Sequence, residues 1–462
     1  MLKKAHDVWK SGAMMRARRM RYKKFTFGDQ WSDKVAMPNG STMTEREFVR
    51  RAGYNPVTSN VIRSIVKGVV GYFRTLQDER GGYASAPPGV KEIDARTFEE
   101  FLVSGCAVQR ISVHADGDGH AAPSVEQISP ARFFIDCAAG EPELMGVVHD
   151  MSLSRLMMQF SHGDKVRAGK LRAAFSRQIR AEQGGAVSRR AFGGSDNDGL
   201  EFLKCGVPGK CRVIEVWSRE CGEQLKCHDP ETGRLYYADV SEERALKRQN
   251  RERRSEGRPV IAWRWELCGY WQCRFYMPDG SAIDGWTAHG HPFAFRFYPL
   301  IDGEIHSFVE DAVEQQRNIN RLLTLNNRLL AVSAKGVLLF PDNQISPTMP
   351  LEIVQENWAA PDGVVLYRGM PGLSGPEQIV SNSAKFGVDH LLDGQMKMLQ
   401  EVSGVSGAMR GQDPASGTTA TLYASQQRGA TVALNDLVRT FEAFLDGRDK
   451  NLMSICRQVG NK

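Results

Sequence analysis

Several signatures of catalysis are missing from these 462 residues. No G-x-x-x-x-G-K-[ST] loop is present to cradle phosphates; the nearest approach, Gly209-Lys210, runs into Cys211 and lacks the earlier glycine. There is no H-E-x-x-H, and the ten histidines fall nowhere at metal-ligand spacing on a helix. There is no G-x-S-x-G elbow, since Gly407 directly follows Ser406. Gly117 and Gly119 stand in a G-x-G-x-x-A pattern, but Pro123 and a strand follow where a dinucleotide-binding helix would start. Adjacent carboxylates occur at Glu99-Glu100 and Glu242-Glu243, in polar segments that would leave them exposed. A catalytic dyad needs burial to shift its pKa. The expectation is a chain that is not an enzyme, with no catalytic residues and no cofactor.

Long apolar runs are also lacking, so nothing reads as a membrane span, and the basic N-terminus has no apolar core of the kind a signal peptide needs. The nine cysteines are odd in number and form no C-x-x-C pair. Six lie between Cys205 and Cys273, where reduced thiols in a β-rich segment are expected and no metal. With 41% hydrophobic and 25% charged residues the chain has an ordinary soluble composition and room for two or three domains. The net charge of +6 permits contact with a polyanion without demanding it. The cations cluster, however, in an arm over residues 1–24 and again over 165–190. Such runs are either solvated faces or phosphate-binding surfaces.

What is present is a patchwork of helix and strand. The pattern predicts a short helix over 44–51, a long one from NPVTSNVIRSIVKGVVGYFR, and a short one over 97–102. Residues 108–113 and 125–128 read as a hairpin, 128–136 as more β structure, and 153–160 as a helix. Residues 163–199 turn basic, then glycine-rich, and read as a surface excursion. From residue 206 an alternating pattern resumes, with a turn at 229–233. The polar helix 241–256 and the aromatic strand–turn–strand from 260 follow. A second long helix is expected over 304–335, with an amide- and arginine-rich face that is solvated, lines a wet pore or meets an identical neighbour. A strand over 337–340 and a helix over 377–402, interrupted near Gly387 and Gly394, come next.

The last stretch organises the rest. Gly404, Gly407, Gly411, Pro414 and Gly417 break regular structure across Ser403 to Gly417. Behind them, Leu434, Leu437, Val438, Phe441 and Leu445 recur at three- and four-residue steps, the mark of a long helix in which Gly429 and Gly447 are the expected kinks. Ser416 is its expected N-cap. Taken alone, this is a polar loop mounted before a core helix.

The wording of SGVSGAMRGQDPASGTTA resembles the portal proteins of tailed bacteriophages, as do GDQW after a basic arm, NPVTSNVIRSIVKGVVG, ISPARFFID and DAVEQQRNINRLLTLNNRL. The resemblance implies an α+β subunit with an α/β wing, a two-helix stem, a small β clip, a channel loop and a long kinked helix. Residues 1–205 and 336–402 would form the wing, with the basic arm at 1–24. Residues 206–259 would lead through a β segment into the first stem helix. Residues 260–300 would be the clip, 301–335 the second stem helix and 403–417 the channel (tunnel) loop. Residues 418–462 would be the kinked helix and the start of a crown, which is expected to be short or absent.

The same resemblance implies a virion structural protein, present in the host cytoplasm during assembly. It would form a homo-oligomeric ring of about twelve copies at one capsid vertex. Double-stranded DNA would pass in and out without regard to sequence. The terminase large subunit, head-completion or adaptor proteins, and the major capsid and scaffolding proteins would be its partners, with no membrane contact. Candidates to face DNA are Ser406, Arg410, Gln412, Asp413 and Ser416, with Arg410 or Gln412 reaching it. Stem interface candidates are Asp311, Gln315, Asn318 and Arg321. Docking candidates on the clip are Trp263, Trp265, Tyr270, Trp271 and Phe275. A different class stays open: a DNA-binding or DNA-processing protein that uses the basic arm and the 165–190 region, with strongly salt-dependent affinity.

Overall fold

The computed structural model describes residues 1–80, 89–115, 121–136, 141–183, 201–288, 290–298, 300–301, 304–333, 337–359, 363–372, 374–379, 387–405 and 420–460. The chain runs through α1 (Leu2–Ser11), α2 (Ala13–Thr26), β1 (Lys34–Ala36), β2 (Thr42–Thr44), α3 (Glu45–Arg51), α4 (Val61–Arg80) and α5 (Val90–Ser104). Next come β3 (Cys106–Ala115), β4 (Ala121–Gln127), β5 (Phe133–Ile135), β6 (Leu144–Met151), α6 (Leu153–Phe160) and α7 (Lys165–Gln183). β7 (Cys211–Asp229), β8 (Arg234–Asp239), α8 (Glu243–Ser255), β9 (Ala262–Tyr276), β10 (Ala282–Ala288) and β11 (Phe293–Phe297) follow. The short pair β12 (Leu300–Ile301) and β13 (Glu304–Ile305) precedes α9 (Glu310–Ser333) and β14 (Val337–Leu339). After them stand α10 (Leu351–Ala359), β15 (Glu377–Ile379), α11 (Val388–Ser403) and α12 (Ala420–Gly460).

Contacts divide the chain into two compact units. One holds Met1–Arg21, Phe73–Ser307 and Asn435–Lys462; the other holds Tyr22–Tyr72 and Phe308–Leu434.

The first unit is built on a six-stranded antiparallel sheet in the order β10-β9-β7-β6-β5, with β8 paired to the outer end of β7. Side chains alternate across a strand, so Val213 and Trp217 face one way and Ile214 and Val216 the other. Both faces are covered over 211–218. Leu156, Phe160, Leu171 and Ala174 of α6 and α7 share a core with Val213, Trp217 and Phe275. Ala5 and Trp9 of α1 share one with Ile214, Val216 and Phe134. Double coverage explains why this half of β7 reads as a continuous buried run. Gly146 is required where the strands are tightest: a Cβ there would lie 2.1 Å from the Glu215 carbonyl oxygen and 2.4 Å from the Phe134 ring. A second sheet, β11-β3-β4, contains the expected hairpin, Gln109↔Gln127 to Ala115↔Ala121. The turn expected inside it lies outside the described residues.

The segment 260–300, expected as a self-contained β unit, differs from that reading. β9 pairs with β7 along its whole length, from Ile214↔Tyr276 to His228↔Ala262, and so belongs to the main sheet. Such pairing depends on residues about fifty positions apart, which local patterning does not encode. The compact accessory is instead the outer end of β7, β8 and β9, closed by α8. There Leu225, Cys227, Ala238, Leu246 and Ile261 make a separate small core. The helix expected to be a stem element is therefore the cover of this small sheet.

Phe73, Phe98, Phe101, Phe441 and Phe444 form an aromatic cluster in the first unit, with Phe73 stacked on Phe98 at 4.3 Å and Phe441 edge-on to both. Each such ring pair contributes about 0.5–1.5 kcal/mol beyond its area burial.

In the second unit α9 packs against α11. Thr44 and Glu47 form a reciprocal capping box that starts α3. Three sequence expectations shift here or at the approach to this unit. α9 begins at Glu310, because Glu304–Ile305 pairs with Leu300–Ile301 as β structure. Glu377–Ile379, expected to open a helix, pairs with Val337–Leu339. α11 begins only after Gly387, which adopts φ 62°, and it runs through Gly394 without a break. Residues 165–183, expected as a surface excursion, are the helix α7; 184–199 lie outside the described residues. α12 is one 41-residue helix containing Gly429 and Gly447, about 60 Å long at 1.5 Å per residue.

Candidate channel, stem and docking residues

Ser406, Arg410, Gln412, Asp413 and Ser416 lie outside the described residues. The approach to them is described. α11 ends at Gly404 in the left-handed region, φ 63°, where glycine carries no Cβ penalty. The Ser403 hydroxyl accepts from the Val405 amide at 3.3 Å, and the Val405 side chain is fully buried. The loop therefore departs from a fixed point, not from a fraying helix end.

α9 carries a polar stripe on its inner face. Gln316, Asn320 and Thr324, at four-residue steps, are buried and hold the segment before α4. Gln316 Oε1 accepts from the Val61 and Ile62 amides at 3.0 and 3.2 Å, and its Nε2 donates to the Ser59 carbonyl at 2.6 Å. Asn320 accepts from the Ser59 amide, and Thr324 from the Val57 amide, both at 3.0 Å. Three backbone groups of the loop and the first two amides of α4 thus find side-chain partners. Asn320 belongs to the amide-rich sequence of this helix, and its polarity serves packing.

The four stem candidates separate. Asp311 and Asn318 are exposed and Gln315 is half-buried. Arg321 is committed within the chain: its Nη2 donates to Glu45 Oε1 at 2.5 Å, and Arg317 meets the other oxygen at 3.0 Å. Glu45 is buried between the two guanidinium groups. Burial opposes the charge on Arg317, but Glu45 and Glu314 together outweigh it and raise the pKa. A further exposed residue, Leu325, lies seven positions beyond Asn318 on the same stripe.

The five clip candidates also divide. Trp271 and Phe275 are core residues, 8% and 0% exposed, and cannot meet a partner while the sheet is intact. They fall on the stretch of β9 that α6 and α7 cover. Trp263 and Tyr270 are half-buried; the Tyr270 ring lies where a side chain on Gly222 would be, 2.8 Å from the Cβ position. Trp265 is 56% exposed. Leu267, two residues along and on the same face, is also exposed, as are Leu235 and Tyr237 on the opposite face. The period of two through Trp263, Trp265 and Leu267 was the signal for the first of these. The β8 pair needed the register.

Charges inside the first unit are paired. Glu215 is fully buried; Arg110 meets its Oε2 at 2.6 Å, His149 Nε2 lies 2.8 Å from the same oxygen, and Trp217 Nε1 donates to Oε1 at 2.8 Å. Burial alone would raise this carboxyl, but Arg110, His149 and Trp217 together hold it below the usual range. Asp150 behaves likewise between Arg212 and Arg132, each at 2.7 Å. At the outer sheet Arg253 donates to both oxygens of Asp229 at 2.8 Å, which drives the Asp229 pKa far down against opposing burial. Burial pushes the Cys205, Cys227 and Cys273 thiols up, keeping them protonated. Cys137 lies outside the described residues.

Arg16 of the N-terminal basic arm is buried over the Trp9 ring, 3.6 Å from its centroid, and donates to the Trp9 carbonyl. Arg18 reaches Glu304 at 3.7 Å, and Arg19 donates to the Pro130 carbonyl at 3.2 Å. These arginines tie a helix to its own unit.

Among the described residues no three His, Cys, Asp or Glu side chains gather to hold a metal ion, and no helix is long and apolar enough to cross a membrane. Antiparallel sheets with paired interior charges, helices packed on them and a 41-residue C-terminal helix make this an α+β protein. The chain matches the family model of the phage P22-like portal proteins over residues 89–448, most of its length, and belongs to that family. Membership implies a structural component of a phage capsid and an oligomeric ring. Against curated proteins the chain finds no match.

Proposed function

We propose that this chain is the repeating subunit of the ring at one capsid vertex through which double-stranded DNA is packaged and later ejected. The observation that carries the reading is the family match, which spans 89 to 448 and takes in α9, most of α12 and the segment between α11 and α12. On this reading α9 is a stem helix whose outer stripe meets a neighbouring subunit. The segment 403–417 is the channel loop, launched from the buried Val405. The clip is the outer end of β7, β8 and β9 with α8, and its exposed Trp265 and Leu267 are where a packaging terminase or head-completion protein docks. Sliding demands weak, repeated contacts that ignore sequence, and a glycine-rich loop with Arg410 and Gln412 suits a compliant collar.

The test is the mass of the purified full chain by light scattering, with negative-stain images. A closed ring of about twelve copies with a central hole is expected. A homogeneous compact dimer that binds duplex DNA tightly only at low salt would overturn the reading.

A further inference from the structure

Two basic runs look alike in the sequence, and the structure tells them apart. Arg16, Arg18 and Arg19 of the N-terminal arm are used internally, as described above, while Lys3, Lys4 and Lys24 stay exposed. The second run is the helix α7, which has no acidic residue from Lys165 to Ala181. Lys165, Lys170, Arg172 and Arg180 are exposed, and among the described residues none of them pairs with a carboxylate. Arg177 has only Asp279, at 3.9 Å. At 100° per residue the five cations occupy an arc of about 160°, and they span about 22 Å along the axis.

The helix is also held firmly from behind. Leu171, Ala174 and Gln178 are buried beneath it. Arg167, at the edge, is fixed by Asp284 at 2.9 Å and by the Ile283 carbonyl at 2.8 Å. Between the cations stand Gly169, Ala173 and Ser176, all exposed and small, with the exposed Val166 at the end of the patch beside Lys165.

We propose that this face of α7 is a binding surface for the phosphate backbone of double-stranded DNA, distinct from the loop 403–417. The charge arrangement selects this occupant over others. A single strand would need aromatic side chains on which to stack its bases, and the outer face carries none, Phe175 being turned toward the core. A protein partner would need apolar anchors at the centre of the patch; the centre is Gly169, Ala173 and Ser176, and the one exposed apolar side chain in the arc, Val166, stands at its end beside Lys165. No exposed amide lies among the cations to read base edges, since Gln178 is buried. Four free cations over some 22 Å therefore fit sequence-independent backbone contact, in which each neutralised phosphate releases a counterion.

The experiment uses the full chain and a fluorescent random-sequence duplex, titrated by anisotropy across about 50–200 mM salt. The variant K165A/K170A/R172A/R180A is expected to reduce the slope of log affinity against log salt by about 3 to 4, at about 0.9 per phosphate contact. The charge-preserving variant K165R/K170R/R172K/R180K is expected to keep the wild-type slope, which separates lost charge from a disturbed fold. An unchanged slope in the first variant, an equal loss in both, or displacement of the duplex by polyglutamate at matched charge would each overturn the proposal. The surface lies on a single chain, so the measurement stands whether or not light scattering finds a ring.

Discussion

At the scale of single residues, charge pairs are the features whose behaviour can be worked out most directly. Asp229 and Arg253 close the small sheet over α8 with two 2.8 Å bonds, and Asn250 exchanges a further pair with Ile261. Because the folded Asp229 pKa is depressed, the stability it confers is fully present above the unfolded value of about 3.9 and is lost as pH falls through the folded one. Asp229→Asn removes that contribution at every pH. Amide exchange across 234–255 should therefore be faster in the variant than in the wild type at pH about 6, and the difference should shrink progressively as pH falls below about 4. A difference that stayed constant over that range would mean Asp229 is not the titrating group. Trp265 was legible because an aromatic in an alternating strand is conspicuous. Arg253 was not, because one arginine in ERALKRQNRERRS looks like the others until the pairing of β7 with β8 sets Asp229 beside it.

At the scale of elements, α9 depends on polar side chains that pattern analysis assigns to solvent. Gln316 satisfies two amides and a carbonyl of the 59–62 segment. Gln316→Leu keeps the bulk and leaves those groups buried without partners, a cost of about 3 kcal/mol. Urea denaturation should show a midpoint shift of that order with an unchanged slope; a loss below about 0.5 kcal/mol would mean water replaces the side chain. The same contrast explains what was legible in the fold. Leu153–Phe160 came out with its bounds intact, because its apolar spacing and Ser152 cap are local. The β3–β4 hairpin came out because its strands alternate plainly and are close in sequence. The start of α9, the strand at Glu377–Ile379 and the long β7–β9 ladder did not, because each is decided by a partner distant in sequence. α7 was read as loop because its charge and glycine hid the spacing of Leu171, Ala174 and Gln178.

At the scale of the whole molecule, the question is which surface makes a second copy of the chain its neighbour. A ring needs a heterologous contact, with one patch meeting a different patch on the next subunit. The outer stripe of α9 has the properties of such a patch. Arg317 and Arg321, clamped on Glu45, pin the helix, while Asp311, Asn318 and Leu325 repeat along it at seven-residue steps and stay exposed. Leu325, 38% exposed on this well-anchored helix, is the apolar member of the stripe. Leu325→Arg adds a desolvation cost to any interface that covers it and leaves the protomer's core untouched. The variant should keep the wild-type circular dichroism and melting profile while its light-scattering mass falls from that of a ring to that of a single chain. If the ring persists, α9 does not present this stripe to its neighbour. The exposed face formed by Trp265 and Leu267 on the outer sheet would then be the next place to introduce a charge, and Trp265→Arg would ask the same question there.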